Sequence, residues 1–268
     1  MTRRTPRIGG AGAALHLLFG LLALCAPVAR AQQEVEPAPE EPLVVSRALV
    51  PVVGHIGGFD AVLWRSDVAL YNDSPDEVTV VVSPLPTPEL FQMRTLAPGE
   101  SVVYANVAAD SFGMASAVAP LLVQTLARRS VTVFATAYGI KDGKQTPTEI
   151  IPVLYHELPL SSVQQLRGLS MNESRRTNVG LVNLGPAPAS FTVAIQRLEG
   201  RPLATETVLV GAESSVHVPL NQLFPLVTEG TDLTLLVDSF AAQTYAYASV
   251  VRNDNHEAVF VQPLIMAR

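Results

Sequence analysis

The residues of this chain whose types and spacing could do chemistry fall into a few short stretches. Gly139-Ile140-Lys141-Asp142-Gly143-Lys144 has the glycines and lysines of a phosphate-cradling loop. Only three residues separate its glycines where a phosphate loop has four, and Gln145 follows where Ser or Thr must hold magnesium, so the stretch reads as a hairpin turn. His156-Glu157 lacks the second histidine one helical turn on that a zinc protease needs, and Pro152 and Pro159 forbid a helix there. Gly168-Leu169-Ser170-Met171-Asn172 has no closing glycine for a nucleophile elbow. The histidines at 55, 156, 217 and 256 stand far apart and read as isolated surface or loop imidazoles. Asp73, Asp76 and Glu77 in one turn, with Asp254 and Glu257 in another, offer the hard oxygens calcium takes, but their spacing matches no calcium loop and turn chemistry accounts for them. The expectation is a non-enzymatic chain with no catalytic residue, no cofactor and no metal site.

Two residues keep a partner-binding role in view, Trp64 and Arg65. Trp64 is the chain's one tryptophan, either an exposed aromatic anchor for a protein or a sugar or a side chain covering one end of a core. Both begin Trp64-Arg65-Ser66-Asp67-Val68-Ala69-Leu70-Tyr71-Asn72, which returns as Arg175-Arg176-Thr177-Asn178-Val179-Gly180-Leu181-Val182-Asn183. At a spacing of 111, Arg65 matches Arg176, Asn72 matches Asn183, Val82 matches Val193, Ala135 matches Ala246 and Pro152 matches Pro263. In the middle Leu96, Glu100 and Ser101 match Leu209, Glu213 and Ser214 at 113, as a loop insertion would produce. A repeat this long is the size of a domain rather than of a solenoid unit. Recurrence of Arg65 as Arg176 and of Asp67 as Asn178 suggests a structural task, such as satisfying backbone groups in the loop before the strand.

The elements that must position these residues are strands. Val78, Val80 and Val82 alternate with Thr79, Val81 and Ser83, and Phe191, Val193 and Ile195 alternate with Thr192 and Ala194. Period two implies one buried face. Val68 and Leu70, like Val179 and Leu181, should point into a core, and Asn72 and Asn183 should end their strands. Turn residues separate the runs, as in Asn72-Asp73-Ser74-Pro75, Ala97-Pro98-Gly99-Glu100 and Asn183-Leu184-Gly185-Pro186. Single helical turns are expected at 107–112 and 221–224. The pattern describes an antiparallel sandwich in each copy.

Residues 1–31 read as a signal peptide: Arg3, Arg4 and Arg7 precede an apolar run, and Ala29-Arg30-Ala31 offers a cleavage site. That run is too short for a membrane span, and no later stretch approaches the needed length. Removal of the leader takes four of the 18 basic residues and none of the 24 acidic ones, leaving 14 against 24, a net charge of −10 that disfavours nucleic acid as a partner. Cys25, the one cysteine, also leaves, so the remaining chain has neither disulfide nor thiolate. With 48% apolar residues and 16% charged, it can stand on packing. Residues 32–45 begin Gln-Gln-Glu-Val-Glu-Pro-Ala-Pro-Glu-Glu-Pro, an acidic, proline-rich stretch expected to be a disordered linker.

The second copy, from Thr177-Asn178-Val179-Gly180-Leu181-Val182-Asn183 through Phe191-Thr192-Val193 to Glu213-Ser214-Ser215-Val216, resembles the bacterial immunoglobulin-like modules related to cell adhesion, often called CARDB-like. The whole chain also resembles exported bacterial proteins that pair His-x-x-Gly with Trp-Arg-Ser/Thr-Asp, here His55-Ile56-Gly57-Gly58 and Trp64-Arg65-Ser66-Asp67. The resemblance implies an all-β chain of two tandem immunoglobulin-like antiparallel β-sandwich domains, 46–159 and 160–268, and brings no catalytic residue. It implies an exported protein, periplasmic, cell-surface or extracellular, that binds, adheres or scaffolds through a protein or glycan at the cell envelope. Two alternatives stay open: a carbohydrate-active or hydrolytic accessory protein with a site in the inter-domain cleft, and a periplasmic chaperone offering an edge strand, with Arg65 and Arg128 or Arg129 as client anchor. Three or more polar side chains converging in a pocket would favour the enzyme.

Overall fold

The computed structural model describes residues 46–126, 131–155, 163–197, 200–241 and 243–266. The leader, the linker, the boundary between copies, Arg128, Arg129 and His156-Glu157 lie outside the described residues. The fold is all-β, with antiparallel pairing throughout. The first copy comprises β1 (Ser46–Gly57), a 3-10 turn (Phe59–Ala61), β2 (Leu63–Tyr71), β3 (Val78–Pro84), β4 (Gln92–Leu96), β5 (Ser101–Tyr104), α1 (Val107–Phe112), β6 (Ala117–Thr125), β7 (Thr132–Lys141), β8 (Lys144–Gln145) and β9 (Glu149–Ile151). The second comprises β10 (Val163–Met171), β11 (Arg175–Asn183), β12 (Ala189–Gln196), β13 (Pro202–Val210), β14 (Ser214–Pro219), α2 (Leu220–Leu223), β15 (Gly230–Ser239), β16 (Thr244–Arg252), β17 (Ala258–Val261) and β18 (Leu264–Met266). The hairpin expected at Asp142-Gly143 joins β7 to β8, and both single-turn helices form where expected.

The duplication is written in the strand order. In the first copy β4-β3-β6-β1 form one layer and β5-β2-β7-β9 the other; β13-β12-β15-β10 and β14-β11-β16-β17 repeat both. In the second copy the layers are separate sheets of five and four strands. In the first, β1 bends where its register breaks between Val50 and Val53, pairs with β6 as far as His55, and then with β2 from His55 to Gly57. One strand therefore serves both layers and makes a continuous nine-stranded sheet.

Period two places the core as expected. Val68 and Leu70 meet Val78, Val80, Val82, Leu121 and Val133 inside the first copy, and Val179 and Leu181 meet Phe191, Val193, Ile195, Leu235 and Ala246 inside the second. The repeat register, however, does not stay at 111. Val68 faces Ala135 and Val179 faces Ala248 across their ladders, so Ala135 corresponds to Ala248, not Ala246. Val78 faces Leu96 and Ala189 faces Val210, so the buried Leu96 corresponds to buried Val210; Leu209 points outward and is 70% exposed. Leu209 is one residue from the ladder counterpart of Leu96, a slip that in a strand exchanges the faces, and Ala246 is two residues from that of Ala135, which keeps the face.

A third apolar cluster joins the copies. Leu49, with Val52 and Leu154, packs against Val182, Tyr245, Tyr247 and Phe260. All described residues fall in one compact unit.

Candidate functional site

The repeated stretch folds as β2 and β11, and each of its positions has a distinct task. Asn72 and Asn183 are fully buried at the strand ends. Asn72 Nδ2 donates to the carbonyls of Asp76 and Leu96, and Asn183 Nδ2 to those of Ala187 and Gly211, while each Oδ1 accepts the backbone N–H two residues on. The hydroxyl between arginine and Asp or Asn ties β2 and β11 to the strand before: Ser66 Oγ accepts the Gly54 N–H at 3.0 Å, and Thr177 Oγ1 donates to the Ser170 carbonyl at 2.6 Å. Backbone groups are thus satisfied by the asparagines, the hydroxyls and Asp67, whose Oδ1 accepts the Asn106 N–H. Arg176 donates instead to Asn253 Oδ1 at 2.7 Å and lies over the Phe59 ring at 5.4 Å, and burial lowers its pKa. The Arg65 Nε is buried without a hydrogen-bond partner among the described residues.

The His-x-x-Gly and Trp-Arg-Ser-Asp stretches meet because β1 pairs with β2. His55 Nδ1 lies 2.8 Å from Asn106 Oδ1, and the Asn106 N–H donates to Asp67 Oδ1 at 2.7 Å, where the Tyr138 hydroxyl also donates. Gly58 is needed for closeness: a Cβ there would lie 2.6 Å from Trp64 Nε1. Trp64 stands at the start of β2 on its core side and is half-buried.

Beyond that end lies a cleft of about 680 Å³ between the copies. Trp64 and Arg65 line it from the first copy, and their repeat counterparts Arg175 and Arg176 line it from the second. Phe59, His217, Tyr247, Phe260, Asn221 and Asn253 complete much of its wall. The site that Trp64 and Arg65 form therefore extends to residues beyond that pair. The signal for Arg175 and Arg176 was in the repeat itself; none existed for His217, which the docking of the copies brings in, or for Glu149, which β9 places there by pairing with β7.

Two histidines depart from the surface reading. His217 stands half-buried in the cleft wall with Nδ1 3.0 Å from the Tyr247 hydroxyl, and desolvation pushes its pKa down to about 4. His256 is 2% exposed, and its Nε2 lies 3.5 Å from Asp60, which also pairs with Lys141; the lysine holds Asp60 below the usual carboxylate range. Tyr247 stacks on Phe260 at 5.1 Å and crosses Gly180 so closely that a Cβ there would fall 1.9 Å from the ring. Glu149, from the first copy, accepts the Ser249 hydroxyl of the second at 3.1 Å, and burial pushes its pKa up to about 7.

Arg65, Arg175, Arg176 and Glu149 are the lining side chains that carry a guanidinium or carboxyl group among the described residues, in a chain of net charge −6. More than three polar side chains converge in the cleft, among them Arg65, Arg175, Arg176, His217 and Asn253, which is the arrangement that favours the enzyme alternative, and Glu149 is the one carboxyl among the described lining residues. Among the described residues no group of three His, Cys, Asp or Glu could hold a metal ion, and no helix is long and apolar enough to cross a membrane. Asp254 and Glu257, weighed above as calcium ligands, both pair with Arg252.

No family model and no curated protein matches the chain. Among solved structures it is similar to the lectin from Pleurotus ostreatus in complex with GalNAc, at 10% identity over 87% of this chain and 80% of that one, with a TM-score of 0.21. It is also similar to the apo form of the Pleurotus ostreatus lectin, at 10% identity over 84% and 76%, with a TM-score of 0.22.

Proposed function

We propose that the chain is an exported, non-enzymatic binding protein of two tandem immunoglobulin-like, CARDB-like sandwiches, whose ligand sits in the cleft between them. One observation carries the reading: the duplicated stretch, which could have faced solvent twice, brings Trp64, Arg65, Arg175 and Arg176 to a single concave site. The volume is that of a pocket for a small molecule or for the tip of a larger ligand. Arginine forks beside aromatic faces suit a carboxylate on a flat or apolar body, as in an acidic glycan or an acidic peptide segment at the cell envelope.

Because Trp64 is the one tryptophan, its fluorescence reports binding without a label. Titration with a uronic-acid oligosaccharide and with an acidic peptide, each against its neutral counterpart, is expected to shift the emission for at least one acid and not for its neutral analogue. Arg65→Gln with Arg175→Gln should weaken that binding roughly tenfold or more, since a charge-assisted hydrogen bond contributes about 1.5–3 kcal/mol. Equal response to acids and neutral analogues would remove the arginines from the reading. A second reading, acid–base chemistry at Glu149, rests on its raised pKa in a cleft. Turnover of an oligosaccharide that Glu149→Gln abolishes would favour it over binding alone.

A further inference from the structure

The second copy docks on the first through the outer face of β14-β11-β16-β17, and the ladder registers carry that face onto the first copy position by position. Val182 corresponds to Tyr71, His217 to Val103, Tyr247 to Phe134 and Phe260 to Ile150. In the second copy Val182 and Tyr247 are sealed, at 0% and 1% exposure. In the first, Tyr71, Val103, Phe134 and Ile150 are 41%, 64%, 62% and 74% exposed. Four large apolar side chains on one sheet face thus repeat a docking surface without having anything docked on them among the described residues.

The surface that receives the second copy also has a counterpart. Leu49 and Leu154 bridge each other at the seam; Gln165 and Leu264 occupy the same two ladder positions in the second copy. Leu264 is 53% exposed and Ile265 beside it 46%. Gln165, where Leu49 would be, is 8% exposed, and its Oε1 has no hydrogen-bond partner among the described residues. On the facing side Tyr71, with a hydroxyl donor, stands in place of Val182, so a polar pair replaces an apolar one.

We propose that the face of Tyr71, Val103, Phe134 and Ile150 binds a second copy of this chain, on the surface of its second half around Gln165 and Leu264, in the arrangement that the second half adopts on the first. The contact joins two different surfaces, so each added chain presents the next free face and association runs head to tail. The seam within one chain forms at the high effective concentration that covalent linkage supplies; between chains the same kind of contact must hold by its own affinity, and is weaker and concentration-dependent.

Sedimentation velocity on the full chain across a concentration series tests this with two capping variants, Phe134→Glu on one face and Leu264→Glu on the other, both exposed and each checked for an unchanged melting temperature. Wild type is expected to form dimers and larger species as concentration rises, and each variant alone to stay monomeric. An equimolar mixture of the two should give a heterodimer and nothing larger, because one intact contact remains between them. If Phe134→Glu perturbs the fold, Ile150→Lys serves on the same face. A wild type that is monomeric throughout overturns the proposal, as does a dimer that Phe134→Glu abolishes and Leu264→Glu leaves intact, which marks a symmetric contact instead.

Discussion

Two side chains at the seam titrate in opposite senses, and the reason is the same for both: each stands where its charged form loses water. Glu149 has its folded pKa raised from 4.5 to about 7, so the stability it contributes is full below 4.5 and is lost as pH rises toward 7. His217 has its folded pKa lowered from 6.5 to about 4, so its contribution is full above 6.5 and is lost as pH falls toward 4. Each span is worth about 3 kcal/mol, and between pH 4.5 and 6.5 the two slopes oppose one another. Relative to wild type, the melting temperature of Glu149→Gln should therefore rise with pH through that window, and that of His217→Asn should fall. Three parallel curves would mean that neither group is desolvated as the cleft wall places it.

At the scale of the strand, β2 and β11 each combine a core face with a terminal asparagine that closes the following turn. Leu181→Ala removes a fully buried side chain and should cost about 2–5 kcal/mol in chemical denaturation. Asn183→Ala strands the carbonyls of Ala187 and Gly211 and the N–H of Gly185, and should cost about 3 kcal/mol. Leu209→Ala, on the exposed face of β13, should change stability by less than about 0.5 kcal/mol; a core-sized loss there would restore the alignment of Leu209 with Leu96. Period two made the strands and their inner faces legible from residue order alone, since alternation is a local property. The bend that lets β1 serve two layers was not, because it depends on which strands are neighbours at His55. Trp64 and Arg65 could be singled out as a pair, and the repeat marks Arg175 and Arg176, yet the cleft also needs Glu149 from the same copy and His217 from across the seam, and no spacing within the chain encodes how the copies dock.

For the whole molecule the question is how much each copy owes to the other. The second copy has a complete core of its own, from Leu166 in β10 through Phe191 and Leu235 to Ala248 in β16, drawn from both of its sheets. What it shares is the smaller cluster of Val182, Tyr245 and Tyr247 against Leu49, with the Glu149–Ser249 hydrogen bond beside it. Residues 163–268 expressed alone should therefore unfold in one cooperative transition with a β-type circular dichroism spectrum, at a lower melting temperature than the full chain. The newly uncovered tyrosines should make that fragment bind an apolar dye more strongly than the intact protein does. The isolated fragment keeps Arg175 and Arg176 but loses Trp64 and Arg65, so any ligand held by the cleft should no longer bind it. A fragment with no cooperative transition would show instead that the seam is part of one obligate core, and that the duplicated halves fold only together.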